Sequence, residues 1–390
     1  MNILQVINAY NPPYSSGGAA FICRNISEAL ANKKHNVTVY TTNILSKNSL
    51  FSFNSNKYTY NKVNIYYFKN NIFDSSNIFY YSNDLVKYIK NNASNFDLIH
   101  LHEYRSYLSL AITYYANKYK IPVILQAHGQ VPKLVGKKSL KYFFDFFFSK
   151  KILSNVSMFI ALNQMEADQY LNLGISERKI AVIPNGIEFT NYINLPIKGS
   201  FKKDFNIDSK EKIVLFLGRL NRIKGINFLI KSFVDVKKEK KNVKLVIVGP
   251  DDGYLQELKC LVRDLKFTDE VLFTGPLYGI KKLAVFVDSD VVVLPSVYEV
   301  FPMTLLEAYS CSKPIIASDI DGLRDLVKNG VTGFLFKPGD IQRLTKEILE
   351  LLNNDYKSRE MGKMGNKFVK QYFTIDRVVD KLLEVYQKVI

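Results

Sequence analysis

The stretch KIVLFLGRLNRIKG, residues 212–225, decides how this chain folds. A mostly apolar run ends at Gly218, and a helical pattern starts near Gly225. A strand that passes through a glycine turn into a helix is the repeating unit of parallel α/β sheets. Arg219 and Lys224 lie between the two elements, where two cations beside a helix N-terminus would suit a diphosphate. The same residues are equally typical of a solvated basic loop.

Further units of this kind lie on both sides of that stretch. Continuous apolar strands alternating with amphipathic helices indicate parallel sheets that are covered on both faces. The length of 390 residues fits two domains. We therefore predict an α/β protein with two Rossmann-like, doubly wound domains, at residues 1–190 and 200–373. The clearest strand candidates are ILQVI (3–7), VTVYTT (37–42), KLVIVGP (244–250), DVVVLPS (290–296) and PIIASD (314–319).

The composition is that of an ordinary globular protein, with 47% hydrophobic and 23% charged residues. It excludes global disorder, a fibre and a disulfide-stabilised miniprotein. Three widely separated cysteines indicate neither a disulfide framework nor a zinc site, so we expect a reducing compartment. We find no signal-peptide pattern at the N-terminus and no apolar run of spanning length. The formal net charge of +17 fits phosphate-bearing ligands, an anionic membrane or nucleic acid.

A second informative stretch is PSVYEVFPMTLLEAYSCSKP, residues 295–314. Pro302 suits the first turn of a helix, and the amides of residues 300–304 would form an anion-friendly terminus. Glu299 precedes this helix and Glu307 lies in its second turn. Eight helical residues span about 12 Å, whereas glycosidase carboxylates stand about 5–9.5 Å apart. Two separate hydroxyl acceptors are therefore favoured, although a lone surface Glu is usually just solvated.

Together these stretches resemble a known family. Gly-Arg-Leu-x-x-x-Lys-Gly (218–225), followed by Glu-x7-Glu (299–307), is similar to family 4 of the retaining glycosyltransferases. VIPNGIE (182–188), IASDIDGLRDLV (316–327) and GVTGFLF (330–336) match further blocks of that family. The resemblance implies the GT-B architecture, with two Rossmann-like domains facing across a cleft. It also implies that a last helix, 374–390, crosses back to the first domain.

The resemblance implies roles for residues of the second domain. Arg219 and Lys224 would hold the diphosphate of a nucleotide-sugar and stabilise the charge that develops as the sugar leaves. Glu307 would accept hydrogen bonds from the ribose, and Glu299 from hydroxyls of the donor sugar. The backbone of four consecutive residues would lie beside the donor: Phe301, Pro302, Met303 and Thr304.

In the first domain, Gly17 and Gly18 are similar to the family's glycine pair near the phosphates, although a plain strand-to-helix turn is the alternative. His128 in QAHG (126–129) matches the family's cleft histidine, which would orient the sugar or acceptor or assist proton transfer. We expect His100 and His102 to point to opposite faces of a strand, so that His102 alone faces the cleft.

Other residues are expected to be structural or to modify the site. We assign Glu166 a structural role. The family usually has Gly at Ser312, Gly-Gly at 321–322 (here Asp-Gly), and Gly at positions 300 and 302 (here Val and Pro). These departures should alter the donor-sugar pocket, so the sugar does not follow from relatives.

Two other kinds of site are disfavoured. Asp288-Ser289-Asp290 spells the D-x-D signature of metal-bound diphosphates, but it falls in a helix-to-strand step, and the two cations already supply positive charge. G-x-G-x-x-G and Walker A motifs are absent from the sequence. We therefore expect no metal and no organic cofactor, with the nucleotide-sugar as co-substrate.

Residues 133–151 contain six lysines and five phenylalanines. Basic residues interleaved with aromatics suit shallow insertion at an anionic bilayer, and a core-packed helix with solvated lysines is the alternative. We expect a cytoplasmic protein that is peripheral on the inner face of the membrane. The residues proposed for the membrane or acceptor surface are Lys137, Lys138, Lys141, Phe143 and Phe144.

The sequence thus predicts a metal-independent, retaining glycosyltransferase. It would move a hexose or N-acetylhexosamine to a sugar hydroxyl of a surface glycan acceptor that is lipid-linked. The alternatives are a GT-B nucleotide-sugar epimerase, a basic nucleic-acid-binding protein and an inactive relative that serves as a partner subunit. No nucleic-acid module supports the second, and Arg219, Lys224 and Glu307 are all retained against the third. The oligomeric state stays open.

Overall fold

The apolar runs of the sequence form the strands of two mainly parallel sheets. The structure is a computed structural model that describes residues 1–10, 17–46, 49–53, 55–71, 81–132 and 138–390. Unit 1 comprises Met1–Gly186 with Ile375–Ile390, and unit 2 comprises Ile187–Thr374.

Unit 1 is built on an eight-stranded sheet in the order β10-β9-β8-β7-β1-β2-β6-β5, in which only the β5–β6 pair is antiparallel within the described chain. Two short strands, β3 and β4, form a separate antiparallel pair. The strands are β1 (Asn2–Ala9), β2 (Asn36–Thr42), β3 (Ile44–Ser46), β4 (Ser49–Leu50), β5 (Lys57–Tyr60), β6 (Val63–Phe68), β7 (Leu98–His102), β8 (Val123–Gln126), β9 (Met158–Ala161) and β10 (Ile180–Val182).

Helices cover this sheet, and the last helix of the chain, which follows unit 2 in sequence, packs against α1. A π-helical turn (Asp145–Ser149) joins α4 to α5. The helices of unit 1 are α1 (Gly18–Asn32), α2 (Asn83–Asn92), α3 (Tyr107–Lys118), α4 (Lys138–Phe144), α5 (Lys150–Ser154), α6 (Gln164–Leu171) and the C-terminal α15 (Ile375–Gln387).

Unit 2 has a six-stranded, all-parallel sheet in the order β13-β12-β11-β14-β15-β16. Its strands are β11 (Lys212–Leu217), β12 (Val243–Val248), β13 (Val271–Gly275), β14 (Val291–Leu294), β15 (Ile315–Ser318) and β16 (Gly333–Phe336). Its helices are α7 (Ser200–Asp204), α8 (Ile226–Glu239), α9 (Leu255–Asp264), α10 (Gly279–Asp288), α11 (Met303–Ser310), α12 (Asp321–Arg324), α13 (Ile341–Asn353) and α14 (Asp355–Tyr372).

The opening strand β11 shows why the apolar runs are continuous. Val214 and Phe216 pack into a core cluster with α8 and α13, while Ile213 and Leu215 pack into another cluster with α10 and α11. Successive side chains point to opposite faces of a strand, so a sheet that is covered on both faces needs apolar residues at every position.

The strand orders place a topological switch point in each unit. In unit 2, β11 lies between β12 and β14, and in unit 1, β1 lies between β2 and β7. Ligands of doubly wound sheets bind at the carboxyl ends of strands beside such points. The residues after β11 and β14, and those after β1 and β7, are therefore the candidates for ligand binding.

Ser312, which stands where the family usually has Gly, lies just after the C-terminal end of α11, at the other end of that helix from Met303 and Thr304. Its φ is 55°, in the left-handed region. The replacement of glycine by Ser312 therefore affects the C-terminal end of the helix. Glycine would adopt this backbone conformation without the strain that a Cβ causes.

We predict that Ser312→Gly stabilises the protein. A non-glycine residue in the left-handed region destabilises the folded state by about 1–2 kcal/mol. Replacing it with glycine removes this strain, but the larger conformational entropy of glycine in the unfolded chain offsets part of the gain. The expected gain in the free energy of unfolding is about 0.5–1 kcal/mol, measured by urea denaturation.

Ser310→Gly is the matched control, because the same change falls inside α11. It should cost about 0.5 kcal/mol through helix propensity alone, and it also removes the hydrogen bond from Ser310 Oγ to the Leu306 carbonyl. A destabilised Ser312→Gly variant would contradict the explanation from backbone strain.

Candidate functional site

Arg219 follows β11 at the switch point of unit 2. Its side chain is half exposed, and its Nη1 donates to Asp252 Oδ2 at 2.7 Å. Asn221 Nδ2 donates to the same carboxylate oxygen at 3.1 Å, and Asn221 Oδ1 accepts from the Ile223 amide. The guanidinium is therefore oriented by a carboxylate while one side stays open to solvent.

Lys224 and Glu299 form an ion pair at the same sheet edge. Lys224 Nζ lies 2.5 Å from Glu299 Oε1, and Ser296 Oγ donates to that oxygen at 2.8 Å. The Lys224 side chain is 16% exposed and that of Glu299 is 10% exposed. Lys224 and Glu299 are thus partners of each other. Both are largely shielded from water, which strengthens their electrostatic attraction.

Two glycines hold the loop that carries Glu299. A Cβ on Gly225, whose φ is 64°, would lie 2.0 Å from the Pro295 carbonyl oxygen, and a Cβ on Gly322 would lie 2.0 Å from the Glu299 carbonyl oxygen. Both distances are far inside van der Waals contact. The packing of the loop between β14 and α11 therefore requires glycine at both positions. Of the Gly-Gly pair that the family usually has at 321–322, this chain retains Gly322, the glycine that the packing requires.

The helix α11 begins at Met303, so Pro302 is the residue before the helix and not in its first turn as predicted. Proline still fits, because the free amides follow it. Met303 and Thr304 form the start of the helix, and the Phe301 ring packs against Phe373 at 5.8 Å between centroids.

Glu307 lies in the second turn of α11 and is almost fully buried. Lys282 Nζ of α10 donates to its Oε1 at 2.6 Å. Burial, followed by the charge and hydrogen bond of Glu307, raises the pKa of Tyr192. Glu307 and Glu299 therefore pair with different lysines, which agrees with two separate roles.

The carboxylates of the D-x-D sequence accept backbone hydrogen bonds. Asp288 accepts from the amides of Gly199 and Lys202, at 2.5 and 3.0 Å, and Asp290 accepts from the Ile213 amide at 2.7 Å. Their positions are explained by anchoring α7 and β11. No group of three His, Cys, Asp or Glu residues that could hold a metal ion occurs within the described part of the chain.

Unit 1 places Gly17 and Gly18 at the N-terminus of α1. Gly17 precedes the helix with φ 109°, a conformation that only glycine adopts readily, and a Cβ on either residue would meet open space. The positive φ thus explains why residue 17 is glycine. Gly18, which has no side chain, leaves open space beside the N-terminus of α1.

His128 belongs to a stack of three imidazoles, and one prediction about this stack was wrong. The rings of His100 and His102 lie 4.3 Å apart, so both point to the same face of β7, because residues two apart in a strand share a face. His102 Nδ1 lies 2.8 Å from His128 Nε2. His128 itself follows β8 and has a φ of 52°.

Two carboxyl groups hold the loop that carries His128. Glu166 accepts from the amides of Gly129 and Leu162 at 2.6 and 2.8 Å, which agrees with the structural role expected for it. Glu103 follows β7 with φ 77° and accepts from the side-chain amides of Asn8 and Gln130. Burial raises the pKa of each carboxyl to about 7.

Asp252, Lys282 and Glu103 were not predicted from the sequence. Asp252 follows β12 and Glu103 follows β7, so a search of every strand end would have found both. Lys282 lies within α10, where an ordinary surface helix also carries lysines, and nothing in the sequence relates it to Glu307.

The segment from α4 to α5 separates its aromatic side chains into two faces. Tyr142, Phe143, Phe146 and Phe147 are exposed, whereas Phe144 is buried in the core of unit 1. Phe144 was therefore wrongly assigned to a membrane surface, because the helical period turns it inward.

The charges of this segment are also divided. Asp145 faces inward and makes a two-pronged ion pair with buried Arg105, at 2.8 Å for each bond. Arg105 also donates to the carbonyls of Gln130 and Val131, so it ties the segment to the loop that follows His128. Burial is the main cause that lowers the pKa of Lys141, which is partly buried. Lys137 and the side chain of Lys138 lie outside what the structure describes.

None of the described helices combines the length and the apolar character needed to cross a bilayer.

Comparison with known proteins bears on both units. Residues 198–368 match the family model "Glycosyl transferases group 1", and residues 16–190 match the model "Glycosyltransferase Family 4". The glycosyltransferase MJ1607 of Methanocaldococcus jannaschii is 32% identical over 217 residues, which are 54% of each chain. The N,N'-diacetylbacillosaminyl-diphospho-undecaprenol alpha-1,3-N-acetylgalactosaminyltransferase of Campylobacter jejuni is 31% identical over 237 residues, which are 60% of each chain.

The match spans about half to two-thirds of the length of these curated relatives. Anabaena HepE, solved in complex with UDP and glucose, aligns over the full length of both chains with a TM-score of 0.77 and 20% identity. The two family models together extend over most of the chain and confirm the resemblance drawn from its motifs. The chain belongs to glycosyltransferase family 4 and has the GT-B fold.

Proposed function

We propose that this protein is a metal-independent, retaining glycosyltransferase. It transfers a hexose or N-acetylhexosamine from a nucleotide-diphosphate sugar to a sugar hydroxyl of a lipid-linked surface glycan. The observation that carries the proposal is the set of charged pairs at the switch point of unit 2: Arg219–Asp252, Lys224–Glu299 and Lys282–Glu307.

These pairs suit a ligand that presents both phosphates and hydroxyls. Lys224 and Arg219 bind the diphosphate and stabilise the negative charge that grows on it as the sugar–phosphate bond breaks. Glu299 then accepts hydrogen bonds from hydroxyls of the donor sugar, and Glu307 accepts them from the ribose. HepE was solved with UDP, which supports a nucleotide donor for a chain of the same fold.

The acceptor is proposed from a different relative. The Campylobacter jejuni enzyme is named for a sugar on diphospho-undecaprenol, which supports a lipid-linked acceptor. An enzyme that acts on such a substrate works at a membrane surface. The exposed aromatic surface, defined here as Tyr142, Phe143, Phe146 and Phe147, is suited to that location.

The electrostatics of this surface support an anionic bilayer. Lys150 and Lys151 are exposed beside the aromatic rings, while Asp145 is turned inward to Arg105. Aromatic rings that enter the headgroup region with flanking lysines bind anionic lipid through both apolar burial and charge. We therefore propose peripheral attachment to the inner face of the cytoplasmic membrane.

We predict opposite effects on nucleotide binding from the two partners of one ion pair. Lys224→Met should weaken UDP or GDP binding about tenfold to a hundredfold, because it removes a charge-assisted bond to phosphate. It should also lower sugar transfer roughly 100- to 1,000-fold. Glu299→Gln should bind the nucleotide at least as tightly as the wild type, since Lys224 loses its competing partner, yet it should transfer sugar poorly.

Calorimetry with UDP and GDP, followed by transfer assays with the sugar donors that bind, measures both effects. Lys237→Met is a matched control, because Lys237 pairs with Glu270 within the same unit. Wild-type transfer by Lys224→Met, or loss of nucleotide binding by Glu299→Gln, would contradict the proposed roles.

We predict that EDTA leaves sugar transfer unchanged, because the positive charge needed at the diphosphate comes from Arg219 and Lys224. Asp288→Asn and Asp290→Asn should affect stability rather than metal dependence, since both carboxylates accept backbone hydrogen bonds. Transfer that EDTA abolishes and a divalent cation restores would refute the metal-independent mechanism.

We predict that the protein floats with vesicles containing phosphatidylglycerol at low salt and less so with neutral vesicles or at high salt. The double variant Phe146→Ser/Phe147→Ser should lose most of this binding. Tyr278→Ser/Ile280→Ser, which changes two exposed apolar residues of unit 2, is the matched control and should float like the wild type. Equal flotation of both double variants would show that the aromatic surface does not attach the protein.

A further inference from the structure

A buried set of polar side chains leads from the C-terminal helix to His128. Tyr386 of α15 has its hydroxyl 2.7 Å from His100 Nδ1, and Gln5 of β1 has its Oε1 2.7 Å from His102 Nε2. His102 Nδ1 lies 2.8 Å from His128 Nε2. Gln5, His100, His102 and Tyr386 are all almost fully buried, so water does not compete for these bonds.

The contact with Gln5 decides which nitrogens carry protons. A neutral imidazole has one N–H donor and one acceptor nitrogen. Because Gln5 Oε1 accepts, His102 Nε2 must donate, and His102 Nδ1 is then an acceptor. The partner of that acceptor, His128 Nε2, must therefore carry a proton, which leaves His128 Nδ1 as the acceptor.

Three further polar atoms of this set are compatible with the same assignment of protons. Gln5 Nε2, His100 Nε2 and Gln126 Oε1 are buried and have no hydrogen-bond partner within the described chain. Burial lowers the pKa of His100 and raises that of Tyr386, and the smaller opposing contributions come from Gln126 and Gln5, so these carboxamides lie near His100 and Tyr386. If Gln5 Nε2 donates to the Tyr386 hydroxyl, that hydroxyl to His100 Nδ1, and His100 Nε2 to Gln126 Oε1, each of these atoms has a partner.

The imidazoles are held neutral. Burial lowers the pKa of His100 and of His128 to about 3 and lowers that of His102 as well, and the charges of the neighbouring imidazoles act in the same sense on His100 and His102. A second proton on this stack would place like charges in a buried site. Near neutral pH, the position of one proton per ring is therefore the only variable.

We infer that Tyr386, Gln5 and His102 are positioning residues that hold His128 as the Nε2–H tautomer, so that its Nδ1 accepts a hydrogen bond from a sugar hydroxyl. No described residue bonds His128 Nδ1, and that atom is not among the fully buried polar atoms. The class of ligand follows from the tautomer: a hydroxyl can donate to this nitrogen, whereas a phosphate oxygen without a proton finds no donor there. That the hydroxyl belongs to a sugar rests on the proposed function. The tautomer of His128 does not depend on that function.

Nitrogen-15 NMR of the protein labelled only in its histidine rings tests the inference without any substrate. The chain has four histidines, so single His→Gln variants assign the spectrum. We expect His128 to carry its proton on Nε2 at pH 7 and its Nδ1 signal to be that of an unprotonated nitrogen from pH 8 to pH 5. A proton on His128 Nδ1, or a rapidly exchanging mixture of tautomers in the wild type, would overturn it.

Gln5→Met tests the direction of the chain, because it removes the acceptor of His102 Nε2. We expect the His128 signals to move towards a mixture of tautomers and kcat/KM for sugar transfer to fall about tenfold, the effect of one hydrogen bond, while UDP binding stays unchanged. Tyr386→Phe should shift the His100 signals first. Tyr309→Phe, which changes a buried tyrosine of unit 2 that bonds Thr332, is the control and should leave all three imidazoles as they are.

Unchanged His128 signals in a folded Gln5→Met variant would overturn the role of Gln5. If that variant does not fold, the wild-type spectrum and Tyr386→Phe still decide the assignment. A protein that shows the expected tautomer but transfers no sugar would refute the proposed function alone, and the converse result would refute the tautomer alone.

Discussion

The close approach of backbone at Gly225 and Gly322 is the constraint on which the site of unit 2 depends. Each glycine lies so near a carbonyl of the loop after β14 that a Cβ would reach 2.0 Å from the oxygen. Because the loop is held from both sides, Glu299 is brought to Lys224, and α11 starts at a fixed point. The spacing between Lys224 and Glu299 in the sequence is thus a consequence of these two packing contacts. The contacts also fix where the charged side chains lie.

The charged pairs of unit 2 balance one another, which bears on the proposed recognition of a donor. Arg219, Lys224 and Lys282 each face a carboxylate within 2.7 Å. A free anion meets no net positive charge from these pairs and must compete with a carboxylate for each cation. Under the proposed function, a sugar nucleotide would supply phosphates for the cations and hydroxyls for the carboxylates, so paired charges would favour the whole donor over phosphate alone.

The strands and the two charged motifs were predictable, because a sheet covered on both faces demands uninterrupted apolar runs and ligand residues follow them. What the sequence did not reveal arises from tertiary contacts. Lys282 meets Glu307 only because α10 packs near α11, and Phe144 turns inward because α4 packs that side of the helix against the core of unit 1. The two histidines of β7 were misplaced for a simpler reason, since residues two apart always share a face of a strand.

The C-terminal helix shows how a distant part of the chain reaches the histidine stack of unit 1. Tyr386 and His100 are 286 positions apart in sequence, and the chain passes through the whole of unit 2 between them. A buried imidazole stack without this hydroxyl and the Gln5 carboxamide would have two tautomeric arrangements of similar energy. Fixing one of them requires a donor and an acceptor at set positions outside the stack. The last helix therefore contributes more than apolar packing to unit 1, because its Tyr386 hydroxyl contacts the first imidazole of the stack that we infer positions His128.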